Sequence, residues 1–149
     1  MKGKTPKESE VHMTEIVLPQ DTNALGTIFG GTVMKWIDIA AAIAARRHSR
    51  KTAVTASIDR LNFLSPIKLG DTVVIEARLH YAGKTSMDIG VTVESEHIET
   101  GKRTLNAKAI LTFVALDGKG VPTRVPPLNP STEAEKKLYA EALKRRKVD

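Results

Sequence analysis

The sequence lacks cysteine and has few aromatic residues. With no Cys among its 149 residues, disulfides, thiolate metal sites and a cysteine nucleophile are excluded. The chain has only three Phe, two Tyr and one Trp, with no basic run between them, so we expect no nucleic-acid partner that binds by stacking. The four histidines have no ligand-like spacing, which argues against a metal site; they are His12, His48, His80 and His97.

Long hydrophobic runs are also missing. The longest apolar run, residues 36–45, is too short to span a bilayer and contains a charge, so we expect no membrane insertion. The N-terminal lysines precede no hydrophobic segment, unlike a secretory signal, and we expect a cytoplasmic protein. The net charge of +6 favours anionic partners in general, but a solvated basic surface with no specific role is the preferred interpretation.

The length and composition predict one soluble globular domain. Hydrophobic residues make up 41% of the chain and charged residues 27%, which suits a single core of ordinary size. We expect a flexible N-terminus over residues 1–10, a compact domain over residues 11–130 and a C-terminal helix over residues 131–149. Ser131 or Thr132 is the expected N-cap of that helix.

One helix, predicted over residues 31–47, dominates the pattern. Between Trp36 and Ala45 every residue is apolar except Asp38, and a helix that is apolar all round is a buried helix. An unpaired buried carboxylate is costly, so Asp38 either has a structural partner or does chemistry. Gly30 and Gly31 precede the helix and leave its first N–H groups open to a ligand. A close-packed entry into the helix is the alternative interpretation of the two glycines.

The remaining segments predict a sheet. A first strand is expected over residues 11–18, and four more alternate in polarity and are joined partly by Gly-containing turns, which is typical of an antiparallel meander. An α+β fold follows, with about five strands wrapped around the apolar helix. The open sheet edges favour at least a dimer. The four later strands are predicted over residues 52–61, 71–82, 86–98 and 103–116.

Several motifs in order carry a family resemblance. Residues 21–31 read DTNALGTIFGG, residues 34–38 MKWID, residues 44–48 AARRH, residues 54–59 VTASID and residues 83–87 GKTSM. Together they resemble the hotdog-fold acyl-CoA thioesterases, a group of broad-range acyl-CoA hydrolases with single-domain bacterial and tandem-domain animal members. The likeness spans about residues 11–143. It implies a hotdog fold, hydrolysis of acyl-CoA to a carboxylic acid and coenzyme A, and a hexamer built as a trimer of dimers.

The resemblance also implies catalytic roles. Asp38 occupies the position of the family's catalytic carboxylate, which acts as a general base toward water or attacks the thioester directly. Asn23 is implied to be a second polar group of the site, contributed by a different subunit from Asp38. The N–H of Gly31 is implied to stabilise the oxyanion. The residues alone leave open a structurally satisfied Asp38 and a turn-forming Asn23.

Coenzyme A contacts are implied in the same way. The turn Gly83, Lys84, Thr85 and Ser86 resembles the element that approaches the nucleotide end of coenzyme A, where Lys84 would pair with a phosphate. Phe63 is implied to line the pantetheine channel, and Arg47 is a further candidate contact. On the residues alone these are an ordinary hairpin turn, a core Phe and a terminal charge cluster. No cofactor is expected, because a thioester is already activated.

Two other functions stay open at this stage. A hotdog dehydratase acting on 3-hydroxyacyl thioesters pairs a His with an acid, and no His lies near Asp38 in sequence. A non-catalytic module that binds acyl-CoA or nucleic acid is the second.

Overall fold

The computed structural model describes residues 1–148, with Val148 described by its backbone alone. Asp149, the last residue of the predicted C-terminal helix, lies outside the described residues. Short 3₁₀ helices occur at Pro6–Ser9 and Pro19–Asp21. The main elements are strands β1 (Val11–Ile16), β2 (Thr52–Phe63), β3 (Thr72–Ala82), β4 (Ser86–Glu96) and β5 (Arg103–Leu116), and helices α1 (Gly30–Ser49) and α2 (Glu133–Val148).

The five strands form one antiparallel sheet in the order β1-β3-β4-β5-β2. The predicted meander is correct for β3, β4 and β5 and wrong for β2, which pairs with β5 at one edge. The connection between β2 and β3, residues 64–71, contains Pro66 and is too long for a tight hairpin. The place beside β3 is taken by β1, with Val11 opposite Ala77.

Helix α1 packs on one face of this sheet, as the α+β prediction requires. The alternating side chains of β3 that were predicted to share a face, Val73, Ile75, Ala77 and Leu79, are at most 1% exposed. The corresponding residues of β4 and β5 belong to the same core. Met34 and Ile39 of α1 are each 39% exposed, so one chain leaves part of the apolar helix surface uncovered.

Helix α2 lies against β3 and extends toward β4. It begins with a capping box, in which Thr132 Oγ1 accepts the N–H of Glu135 and the Glu135 carboxylate accepts the N–H of Thr132. Near its end, Arg146 donates to the buried Asp88 carboxylate at 2.7 Å and lies over the Tyr81 ring at 4.5 Å. Within residues 1–148, neither helix combines the length and apolarity that a membrane crossing requires.

The N-terminal segment contacts the end of α1. Pro6 and Ser9 are buried, and Lys4 Nζ donates to the carbonyl of His48 at 2.9 Å, where a positive charge suits the helix dipole. The segment is therefore packed in the folded chain, and its flexibility in solution stays a prediction.

His80 is a titratable residue packed against the neighbouring strand. It lies beside Gly90 of β4, where an added Cβ would collide with the imidazole. Burial and the nearby charge of Arg145 lower the pKa of His80 from 6.5 to about 4. Burial also lowers the pKa of His48, whose ring contacts the carbonyl of Pro126.

We predict that the melting temperature falls as the pH drops from about 6.5 to about 4. In that range the unfolded chain binds a proton at His80 and the folded chain does not, so acid favours unfolding. His80→Gln should flatten this dependence, measured by thermal unfolding across the pH series. His97→Gln, at an exposed histidine, is the matched control. Equal pH slopes for wild type and His80→Gln would contradict the prediction.

Candidate active site

Asp38 lies on α1, half-buried, and faces strand β2. Its Oδ1 accepts a hydrogen bond of 2.7 Å from the Thr55 hydroxyl. Across residues 1–148, no ion pair involves Asp38. The carboxylate thus has a neutral partner that orients one oxygen, and the other oxygen is available to a substrate or water. Thr55 lies within a sequence motif, but only the packing of β2 beside α1 identifies this contact.

The start of α1 presents open amides. The carbonyl of Phe29 accepts the N–H groups of Thr32 and Val33, and the N–H groups of Gly30 and Gly31 before them have no acceptor within the helix. A Cβ added at Gly31 would meet nothing within 4 Å, so close packing does not require glycine there. At Gly30 the nearest atom would be the Phe63 ring, at an ordinary 3.8 Å. An oxygen atom can therefore approach the Gly31 N–H from solvent.

Asn23 organises the loop that leads into α1. Its Oδ1 accepts the N–H of Leu25 at 2.9 Å, and its Nδ2 donates to the Thr27 hydroxyl at 3.0 Å. This is the turn-forming role that the residue type predicts. Among the described residues, no hydrogen bond joins Asn23 to Asp38 of the same chain.

Gly31 and Asp38 are also well separated within one chain. Seven residues of α-helix amount to two turns, or roughly 10 Å along the axis. A carbonyl oxygen bonded to Gly31 and a water held by Asp38 need to lie within about 3 Å of their partners. One chain therefore does not bring both groups to a single thioester.

The turn between β3 and β4 lies beside a basic cavity. Lys84 is exposed and lines a cavity of about 660 Å³ with Arg124, which comes from the Pro-rich arm after β5. The arm is held there by the N–H of Val125, which donates to the carbonyl of Lys84 at 2.9 Å. Sequence reasoning missed Arg124, because the place of an extended arm depends on such long-range contacts.

The other predicted coenzyme A residues are placed differently. Gly83 belongs to the same cavity, and the Thr85 carbonyl accepts the N–H of Ala115. The Ser86 hydroxyl accepts a hydrogen bond of 2.8 Å from Arg146 of α2. Arg47 donates to the carbonyl of Glu10 at 2.7 Å and is not among the residues that line the Lys84 cavity.

Phe63 ends strand β2 at a smaller cavity. It is 55% exposed in the chain, so the core position that its residue type suggests is wrong. The cavity, of about 330 Å³, is lined by Phe63, Ile28, Val33 and Gly30 and lies at the start of α1. Phe63 therefore stands close to the open amides, at a surface that a ligand can reach.

Strand β2 is an edge strand with exposed apolar side chains. Val54 is 43% exposed and Ile58 38%, and their strand is bonded to the rest of the sheet on one side only. Met34 and Ile39 of α1 are exposed to a similar extent. Exposed apolar groups along an unpaired edge are typical of a surface that a second subunit covers.

Comparisons with known proteins agree on one family. The model of the thioesterase superfamily matches residues 25–102. Over 139 residues the chain is 47% identical to YkhA of Bacillus subtilis (strain 168), named an uncharacterized acyl-CoA thioester hydrolase; the match covers 93% of this chain and 81% of that protein. The structure is also similar to an apo-hexameric acyl-CoA thioesterase, with a TM-score of 0.95, 43% identity and coverage of 99% and 94% of the two chains.

A third similar protein is the acyl-CoA hydrolase of Staphylococcus aureus, solved with butyryl coenzyme A, coenzyme A and coenzyme A disulfide. It matches with a TM-score of 0.91 and 42% identity, covering 97% of this chain and 90% of that one. Solved variants of that hydrolase replace one Asp, one Asn or one Thr by Ala, and its Asp lies 15 residues after the Asn and 17 before the Thr. In the present chain Asp38 lies 15 residues after Asn23 and 17 before Thr55.

These similarities extend over the whole fold. A long helix packed on a five-stranded antiparallel sheet, with a C-terminal helix, is the arrangement that the sequence motifs imply. The chain therefore belongs to the thioesterase superfamily, among its hotdog-fold acyl-CoA thioesterases.

Proposed function

We propose that the protein hydrolyses acyl-CoA to a free carboxylic acid and coenzyme A, with Asp38 as its catalytic carboxylate. The observation that carries the proposal is the environment of Asp38, a half-buried carboxylate oriented by the neutral Thr55 hydroxyl. The names of the similar enzymes support the substrate class. The proposed reaction needs no metal or organic cofactor, because the thioester is already activated.

The open amides at the start of α1 are proposed to activate the thioester carbonyl. The thioester oxygen accepts the N–H of Gly31, where the positive end of the α1 dipole stabilises the negative charge that develops. Asp38 then takes a proton from a water that attacks the carbonyl carbon, or attacks that carbon itself to form an anhydride that water hydrolyses. In both routes the carbon–sulfur bond breaks and the coenzyme A thiolate leaves and is protonated.

The proposed site combines two subunits. Since Gly31 and Asp38 of one chain are too far apart for one thioester, an antiparallel neighbour helix has to supply one of them. The loop that contains Asn23 leads directly into the helix start at Gly31, so we assign these two residues to one subunit. Asp38, which bonds to Thr55, and Thr55 itself are assigned to the other subunit. The exposed apolar side chains of β2 and α1 support such a dimer, and the hexameric state of a similar thioesterase supports a trimer of dimers.

The Staphylococcus aureus variants support the choice of residues. The residue types replaced in that hydrolase recur in this chain at identical spacing, as Asn23, Asp38 and Thr55. Thr55 is therefore proposed as the residue that orients the carboxylate. The coenzyme A nucleotide is proposed to bind beside Lys84 and Arg124, whose charges suit its phosphates. A location in the cytoplasm stays a prediction.

The alternative functions receive less support. A dehydratase would need a His beside the acid, and within residues 1–148 no histidine bonds to Asp38. A non-catalytic acyl-CoA module would need neither an oriented carboxylate nor open amides at the start of α1.

We predict that Asp38→Asn and Asp38→Ala reduce kcat/KM for acyl-CoA by roughly 10²- to 10⁴-fold, the range expected when general acid–base catalysis is lost. Thiol release from coenzyme A esters measures the rate, and size-exclusion chromatography checks that assembly is unchanged. Glu99→Gln, which removes an exposed carboxylate in the β4–β5 turn, is the control. Hydrolysis by Asp38→Ala at the wild-type rate would refute the catalytic assignment.

Mixing two inactive variants tests the shared site. When Asn23→Ala and Asp38→Ala chains are co-expressed with different tags, each mixed dimer has one intact and one doubly substituted site. Activity should return to about a quarter of the wild-type value, because half of randomly assembled dimers are mixed. Each variant assembled alone is the control. A mixture as inactive as its components would place Asn23 and Asp38 in the same subunit's site.

Lys84→Gln should raise KM for acyl-CoA up to roughly fivefold with little change in kcat, since an exposed ion pair contributes at most about 1 kcal/mol to binding. The increase should shrink at high salt, because the lost interaction is electrostatic. Lys102→Gln, at an exposed Lys in the β4–β5 turn, is the control. Equal KM values for Lys84→Gln and wild type at low salt would remove Lys84 from the binding site.

A further inference from the structure

Asn106 is a buried polar residue at an irregularity of the sheet. It is 1% exposed and lies on β5, where the register with β4 passes from Val93–Ala107 to Glu94–Leu105 and leaves Asn106 without a partner opposite. Such a bulge redirects a side chain locally. Its Oδ1 accepts the N–H of Ser95 at 2.5 Å.

The rest of Asn106 holds the connection between β2 and β3. Its Nδ2 donates to the Ser65 hydroxyl at 3.0 Å and to the Pro66 carbonyl at 3.3 Å. Its main-chain carbonyl accepts the N–H of Leu64 at 2.8 Å. Asn106 thus bonds to three consecutive residues, Leu64, Ser65 and Pro66, at the start of the connection. Both polar atoms of its side chain have hydrogen-bond partners.

The same connection supports the loop that carries Asn23. The carbonyl of Ile67 accepts the N–H of Ile28 at 2.8 Å, and the N–H of Leu69 donates to the carbonyl of Gly26 at 3.0 Å. These bonds join the connection to residues 23–29, which lead directly into the start of α1. Asn106 is therefore linked to the loop of residues 23–29 by hydrogen bonds at both ends of the short covalent segment from Leu64 to Leu69.

Asn106 also lines the cavity at the start of α1. Leu64, Ser65, Pro66 and Ile67, which line the same cavity of about 330 Å³ together with Gly30, are called its β2–β3 wall below. Displacing this wall would change both the cavity and the loop before the helix. A buried polar side chain with every partner in place favours one arrangement over others, which a purely apolar side chain would not.

We propose that Asn106 is a positioning residue of the thioesterase site: it holds the β2–β3 connection, and through it the Asn23 loop and the cavity wall, in the reactive arrangement. The proposal rests on the function proposed above. Asn106 does not contact the reacting groups, and its effect passes through the Ile67–Ile28 hydrogen bond.

The test is Asn106→Asp, which retains the acceptor for Ser95 and the side-chain volume. The substitution replaces the donor to Pro66 by an oxygen that faces its carbonyl oxygen, so the connection is repelled at that point. We expect kcat/KM to fall roughly 10- to 100-fold at a temperature well below unfolding, because small displacements of positioned groups are costly. Asn129→Asp, an exposed site that gains the same charge, is the matched control and should keep wild-type kinetics.

Ser65→Ala provides a second test should Asn106→Asp not fold. It removes the hydroxyl that accepts from Asn106 and donates to the carbonyl of Leu105 at 3.1 Å. We expect a smaller loss of kcat/KM. In the double variant the loss should be less than the product of the two single losses, because both changes act on one connection.

Amide hydrogen exchange gives a readout besides activity. In Asn106→Asp the amide of Ile28 should lose protection, whereas that of Val91 in central strand β4 should keep it. If wild type is active and Asn106→Asp keeps both its kcat/KM and the protection of the Ile28 amide, the positioning role of Asn106 is overturned. The proposed thioesterase function would still stand. A folded, assembled wild-type protein that hydrolyses no acyl-CoA would overturn the proposed function, and this inference with it.

Discussion

The packing of α1 on the sheet is the constraint on which the rest of the structure depends. The helix contacts the sheet through small side chains, Ala40, Ala41, Ala44 and Ala45, all fully buried, so its backbone lies close to the strands. Close packing leaves little freedom to rotate the helix. The position of Asp38 at the margin of the contact, within reach of Thr55 on β2, follows from that geometry.

The same helix supplies two chemically different groups that its length keeps apart. Its first amides are open at Gly31 and its carboxylate lies two turns later, which suits a site completed by a second copy of the chain. The unpaired edge of β2 and the exposed apolar residues of α1 lie where such a copy would bind. Catalysis and assembly are thereby linked in the proposed mechanism.

Polar side chains away from the interface between α1 and the sheet each have a different structural role. Arg146 joins α2 to the sheet through hydrogen bonds to Asp88 and Ser86. The Ser86 hydroxyl, which the family resemblance assigns to coenzyme A binding, is therefore bonded to Arg146 in the chain. Lys84 and Arg124 remain as the cationic pair beside the β3–β4 turn. Asn106 has no counterpart among the sequence motifs, yet its hydrogen bonds hold the β2–β3 connection, which in turn bonds to the loop before α1.

The sequence by itself determined the long helix, the alternating strands β3 to β5 and the Gly-led start of α1, because these depend on local periodicity and on residue type. Its motifs also indicated the family and Asp38. Only the tertiary structure decided that β2 lies beside β5, that Thr55 orients Asp38, that Arg124 joins Lys84 and that Phe63 is exposed. Each of these depends on contacts between residues far apart in the chain, and periodicity reports which face a side chain occupies without identifying its neighbours.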